Sequence, residues 1–138
     1  MDSMRNVGAL IGRLLLAYIF VDSGIGKLMN PGGTMKYMEA GGLHHAVPLL
    51  FVIAVIIELI GGLMVAVGWK TELAAFIIFL FCIPVTIIFH VIPGQTLQWH
   101  KNLAFMGGLL MVAVYGGGEI SIDGGRKAAG AVAPRAAA

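Results

Sequence analysis

A single carboxyl group stands in the most apolar stretch of this sequence. Glu58 lies near the middle of VPLLFVIAVIIELIGGLMVAVG, Val47 to Gly68. At ~1.5 Å per residue that run is long enough to cross the hydrocarbon core of a bilayer. An acid buried there either stays neutral or is matched by a cation from another helix. In both cases it must face protein, and an ionisable residue at such depth is by default a functional candidate. One reading makes Glu58 a proton-handling or ligand-contacting acid. The other makes it a structural acid, protonated or paired with Arg13. Gly61 and Gly62 follow three and four residues later on the same helical face, where a neighbouring helix can approach closely.

Further polar residues gather at one depth. If successive helices alternate in direction, Asp22, Lys27, His44, His45, His90, Trp99, His100, Lys101 and Asn102 fall in one layer, with Glu58 beneath it. Lys27 and Lys101 read either as interfacial anchors or as contacts for an anion. His90 either hydrogen-bonds Asn102 or Lys101, or joins His44, His45 and His100 in a metal site. The metal reading is the less favoured, because no two of these histidines have the i, i+4 spacing that presets a site on one helix. Arg13 reads as a snorkelling cation or as half of an ion pair that fixes the bundle. Arg13, Ala17, Phe20, Gly24 and Lys27 form one helical stripe, and Lys101, Ala104, Gly108 and Tyr115 form another. Both stripes are expected to face Glu58 and His90. Asp22 falls on the side opposite Arg13, so it needs a different partner, on another face or in a second subunit. Trp99 suits an interfacial belt, and Cys82 an inert core position.

The elements that must position these residues are apolar helices. The expected spans are Val7 to Met29, Val47 to Gly68, Leu73 to Ile92 and Leu97 to Tyr115. Asn30-Pro31-Gly32-Gly33 ends the first. The loop from Thr34 to Ala46 has room for a short amphipathic helix at Met35 to Ala40. Trp69-Lys70-Thr71-Glu72 is a tight connection in which Thr71 is a candidate cap. Pro84 is expected to kink the third span. Short loops make sequential helices antiparallel neighbours. The fold class is therefore all-α, a four-helix transmembrane bundle over residues 1–118. The tail from Glu119 to Ala138, rich in Ala and Gly, is expected to be disordered. Arg5, Lys70, Arg126, Lys127 and Arg135 lie on the side of the termini, against Lys27, Lys36 and Lys101 on the other. That bias places both termini in the cytoplasm.

Composition agrees. The chain has 138 residues, 59% hydrophobic and 12% charged, about half the charge of a soluble domain. Its 9 basic and 7 acidic residues form no basic block, which argues against nucleic-acid binding. One cysteine excludes an intramolecular disulfide, and no CxxC or CxxCH motif is present. No flavin, NAD, haem c or iron–sulfur motif is found. No cleavable signal is expected, because the first apolar segment is too long for one and lacks an A-x-A site.

The run GRLLLAYIFVDSGIGKLMNP, Gly12 to Pro31, resembles the opening of the DoxX family. The likeness continues through ELIGGLMVAVGWKTELAA (Glu58 to Ala75), Phe89-His90, KNLAFMGGLLMVAVYGGG (Lys101 to Gly118) and the closing ISID. The resemblance implies a four-helix membrane protein, related to the small subunit of a thiosulfate:quinone oxidoreductase. Members are linked to membrane oxidoreductase complexes and thiol-stress resistance, and distant relatives act as receptor chaperones or cargo receptors. The recurrent polar positions map to Arg13, Ser23, Lys27, Glu58, His90, Lys101 and Asn102; Asp22 stands where a nonpolar residue is usual. The expectation is an accessory or quinone-interacting subunit of a membrane oxidoreductase in a bacterial-type inner membrane. Glu58 would relay a proton, Lys27, His90, Lys101 and Asn102 would bind the quinone, and a protein partner would hold the redox centre. The alternatives are a non-enzymatic membrane scaffold or chaperone, with homo-oligomers or partner helices on the polar layer, and a small lipid-binding or transport protein.

Overall fold

The computed structural model describes residues 2–91 and 94–132. Its regular elements among those residues are all helices. Helix α1 runs Asp2–Met29, five residues earlier than the apolar pattern suggested. Asn30 then caps α2, Pro31–Ala40, by accepting from the Gly33 N–H at 3.0 Å. Pro31 fits the first turn of that helix, where its missing N–H has no partner to lose. The second span is one rod, Val47–Val67, made of α3 (Val47–Val55), a π-helical turn (Ile56–Ile60) and α4 (Gly61–Val67). Gly68, at φ 74°, ends it in the left-handed conformation, which glycine adopts without a Cβ penalty. Helix α5 is Thr71–Phe89 and α6 is Thr96–Tyr115. The boundary at Ile92 falls outside the described residues.

The rods α1, α3–α4, α5 and α6 form the bundle. The first three are each long and apolar enough to cross a membrane; α6 is of similar length, 20 residues, but begins with the polar run Gln98 to Asn102. The outside is largely apolar: Leu15, Ile60, Ile87 and Val114 are all exposed, as expected where lipid replaces water. The core is made of Ala17, Phe20, Val65, Ala74, Ala75, Ile78, Cys82 and Leu109.

Small residues set how closely the rods approach. A Cβ on Gly24 would come within 3.0–3.2 Å of Leu59 side chain and backbone, and one on Gly62 within 2.9 Å of Val21. Thus α1 and the second rod touch nearly backbone to backbone at Leu59 and Gly62, just past Glu58. Helix α5 lies along both α4 and α6, whereas α6 meets α1 at few places.

The tail corrects an expectation. Instead of a disordered segment, residues Ile122–Val132 form helix α7; residues 133–138 lie outside the described ones. Asp123 explains the order. Its carboxylate accepts from the Lys70 N–H at 3.0 Å, the Thr71 N–H at 2.8 Å and the Thr71 hydroxyl at 2.8 Å. Its own N–H donates to the Gly68 carbonyl at 2.9 Å. The cap of α5 is therefore Asp123, from 52 residues away, and Thr71 is the first helical residue and not the cap.

Candidate functional site

Helix α1 presents its stripe as its spacing requires. Arg13, Ala17, Phe20 and Gly24 are buried and Lys27 is partly so. The stripe separates two cations by four turns, and they do different work.

Lys27 is the partner of Glu58. Its Nζ lies 2.6 Å from Glu58 Oε2 and donates also to Ser23 Oγ at 2.8 Å. The Lys27 side chain is 22% exposed and that of Glu58 8%. Directionality brings them together, because every helical Cα–Cβ bond tilts toward its helix N-terminus. Lys27, near the end of α1, leans back into the bundle. Glu58, on an antiparallel rod, leans up toward Lys27. The π-helical turn holds Glu58 on a locally widened backbone, a device that recurs at functional sites.

Arg13 is neither a snorkelling cation nor the counter-charge of Glu58. It is 3% exposed. Its Nη1 donates to the Gly117 carbonyl and its Nη2 to that of Ile120 at 3.0 Å. It ties the end of α6 and the approach to α7 onto α1.

Around the Lys27–Glu58 pair lies a cavity of about 740 Å³. Helices α1, α2, α3, α5 and α6 and the π-helical turn all contribute to it. Its wall is mostly apolar and aromatic, with Phe20, Phe81, Phe89 and Phe105 among its residues. Ser23, Lys27, Glu58, His90, Gln98 and Asn102 supply polar groups. His90 Nδ1 lies 3.2 Å from Gln95 Oε1, not from Asn102 or Lys101. Asn102 donates to Thr86 Oγ1 at 3.0 Å, and Thr86 in turn donates to the Cys82 carbonyl at 2.6 Å. Helix α2 covers one end of the cavity: Met38 is buried, and the Tyr37 ring stacks on Phe89 with centroids 5.2 Å apart.

Four of the five residues expected to handle a ligand, Lys27, Glu58, His90 and Asn102, thus line one cavity. Lys101 does not. It is exposed, as are Ala104 and Tyr115 of its stripe. The inward face of α6 runs instead through Asn102, Phe105, Leu109 and Val112. Asp22 is exposed on the outside of α1 and has no hydrogen bond or ion pair among the described residues. His44, His45 and His100 are exposed and do not line the cavity, and the His100 ring packs against Trp99 at 4.4 Å. Among the described residues no three histidine, cysteine or acidic side chains come together to hold a metal.

Sequence reasoning missed Gln95, Tyr37 and Phe105 as site residues and Asp123 as a cap. Thr86 could have been found, since Cys82, Thr86 and His90 repeat every four residues. Gln95 and Asp123 carried no local signal.

Comparison with known proteins finds a family and bacterial relatives. The profile of the DoxX family matches residues 8–91. Inner membrane protein YqjF of Escherichia coli (strain K12) is 33% identical over 126 residues, which cover 89% of this chain and 95% of that protein. Inner membrane protein YphA of the same organism is 28% identical over 128 residues, covering 86% and 90%. No solved structure gives a significant match.

Proposed function

This chain belongs to the DoxX family and is an integral membrane protein, and we propose that its cavity receives the ring of a membrane quinone. In this reading the protein is an accessory subunit of an oxidoreductase complex, in a bacterial-type inner membrane with both termini cytoplasmic. The names of both relatives, inner membrane proteins, favour that membrane.

The observation that carries the reading is the Lys27–Glu58 pair in the wall of an otherwise apolar and aromatic cavity. Ligand pockets of this size class combine apolar walls with a few convergent polar groups. A quinone ring is flat and apolar and bears two carbonyl oxygens. Lys27, Asn102 and His90 are the donors available to those oxygens, and the phenylalanines supply faces for the ring. Reduction of a quinone takes two electrons and two protons, and forms two O–H bonds. The electrons would come from a redox centre on a partner subunit. Glu58 would supply one of the protons and water the other, and Glu58 would be reprotonated from water once the quinol leaves; Lys27 would hold the acid in place and stabilise it when it is ionised.

The test is equilibrium titration of purified protein in lipid nanodiscs with a short-chain benzoquinone. Saturable binding in the wild type that weakens at least tenfold in Glu58→Gln supports the reading. Equal binding in both proteins, or none in either, contradicts it.

One observation favours a second reading. Asp22 is exposed on a face that would meet lipid, where an acid is costly. A partner helix bearing a cation would relieve that cost, as expected of a membrane scaffold. Stoichiometric co-purification of a protein partner that is lost in Asp22→Leu supports it.

A further inference from the structure

We propose that the groove between α1 and α6 holds the prenyl chain of the quinone whose ring enters the cavity. This inference rests on the quinone reading above. Helix α6 lies along α5 but barely touches α1. The gap left between them is a groove of about 540 Å³, lined by Gly8, Gly12, Leu16, Ile19, Gly108 and Met111, among others. Ile19 also lines the Glu58 cavity, so the two spaces adjoin at that side chain. The groove is apolar apart from the Tyr115 hydroxyl and Arg13, whose guanidinium is engaged by the Gly117 and Ile120 carbonyls.

Its length and the room beside its glycines argue for the occupant. From Ile19 to Gly8 the helix rises ~16 Å, about half of the ~30 Å hydrocarbon core. That is too short to seat a spanning helix of a partner, which needs ~20 residues, but it suits a few prenyl units laid along α1. A Cβ added at Gly8 or at Gly12 would meet nothing within 4 Å. These glycines therefore leave open space and do not serve close helix packing there, unlike Gly24 and Gly62. A ring held at Lys27 and Glu58 has its chain exit beside Ile19, where the groove begins.

The experiment is a titration of the full chain in nanodiscs with benzoquinones carrying progressively longer prenyl chains. In the wild type, affinity referred to the mole fraction of quinone in the bilayer should rise about tenfold over the first few units, as the chain exchanges loose lipid contacts for packed ones, then stop rising once the groove is filled. Gly12→Leu, and separately Gly8→Leu, project side chains into open space. Gly12→Leu should reduce that gain to less than about twofold, and Gly8→Leu, at the far end of the groove, should make it level off at a shorter chain, both leaving affinity for the short-chain ring unchanged. A chain-length gain that persists in both variants, or that never levels off in the wild type, overturns the groove assignment alone. Failure of the wild type to bind the short-chain ring overturns the quinone reading, and the groove assignment with it.

Discussion

Lys27 and Glu58 lean toward each other from antiparallel helices and close to 2.6 Å, whereas Arg13, on the same stripe of α1, leans away from the acid and is spent on backbone carbonyls. The pair is the polar centre of the bundle. Removing one member leaves the other without compensation, a loss on the order of 3 kcal/mol for a buried pair. Lys27→Met should therefore destabilise the protein by about that amount, and the double variant Lys27→Met/Glu58→Leu should recover at least half of it. Unfolding in mixed micelles, followed by circular dichroism, measures both. A double variant as unstable as the sum of its single variants would contradict the pairing.

Close approach of α1 to the second rod predicts opposite results at two glycines. In Gly24→Ala the new Cβ meets Leu59 side chain and backbone at 3.0–3.2 Å, and backbone cannot rotate aside. The cost should be ~1–3 kcal/mol, as for other overpacked sites. Gly12→Ala meets nothing within 4 Å and replaces glycine within a helix, so it should be neutral or stabilising by up to ~1 kcal/mol. The same unfolding assay distinguishes them.

Asp123 gives a dependence on acid. Burial alone would raise its pKa, but the Thr71 N–H and hydroxyl, the Lys70 N–H and the nearby charge of Arg126 outweigh it, so the carboxyl titrates below its ordinary 3.8. A depressed folded-state pKa means that the carboxylate form stabilises the fold. That contribution is fully present above about pH 4 and is lost as pH falls through the lower folded value. Between pH 7 and pH 5 the difference in stability between wild type and Asp123→Asn should be constant, at about 1 kcal/mol, because Asn keeps one acceptor oxygen and loses the charge and the second acceptor. Below about pH 4 the two should converge. Melting temperatures across that range check the sign; divergence in acid would contradict it.

Arg13 should control the tail without touching the cavity. Arg13→Met removes both donors from the Gly117 and Ile120 carbonyls, a loss of about 2 kcal/mol for hydrogen bonds from a charged group. Limited proteolysis should then cleave between Gly116 and Asp123 at least several-fold faster than in wild type. Short-chain quinone affinity should stay the same.

The sequence made some of this legible and concealed the rest for physical reasons. The buried face of α1 could be read because Arg13, Gly24 and Lys27 contrast with their apolar neighbours. The face of α6 was misjudged because lipid is as apolar as the core, so hydrophobic residues surround the helix and do not mark its inside; Lys101, near the helix start, points outward. The Lys27–Glu58 contact was available from the same Cβ-tilt argument that disfavours Arg13, applied to the other cation on the stripe. The π-helical turn was not, since extrapolating at 3.6 residues per turn cannot reveal an added residue. Nor was α7: an Ala- and Gly-rich segment of weak helical propensity is ordered by Asp123 capping a helix 52 residues earlier in the chain, and no local pattern encodes that partner.

Mass spectrometry of small molecules extracted from gently purified protein asks whether the cavity beside Lys27 and Glu58 is a quinone site. Wild type and Glu58→Gln should be compared at equal folded concentration. A quinone site should yield near-stoichiometric quinone from the wild type, with most of it lost from the variant. Bulk phospholipid alone in both would contradict it and leave Glu58 as the structural counter-charge of Lys27.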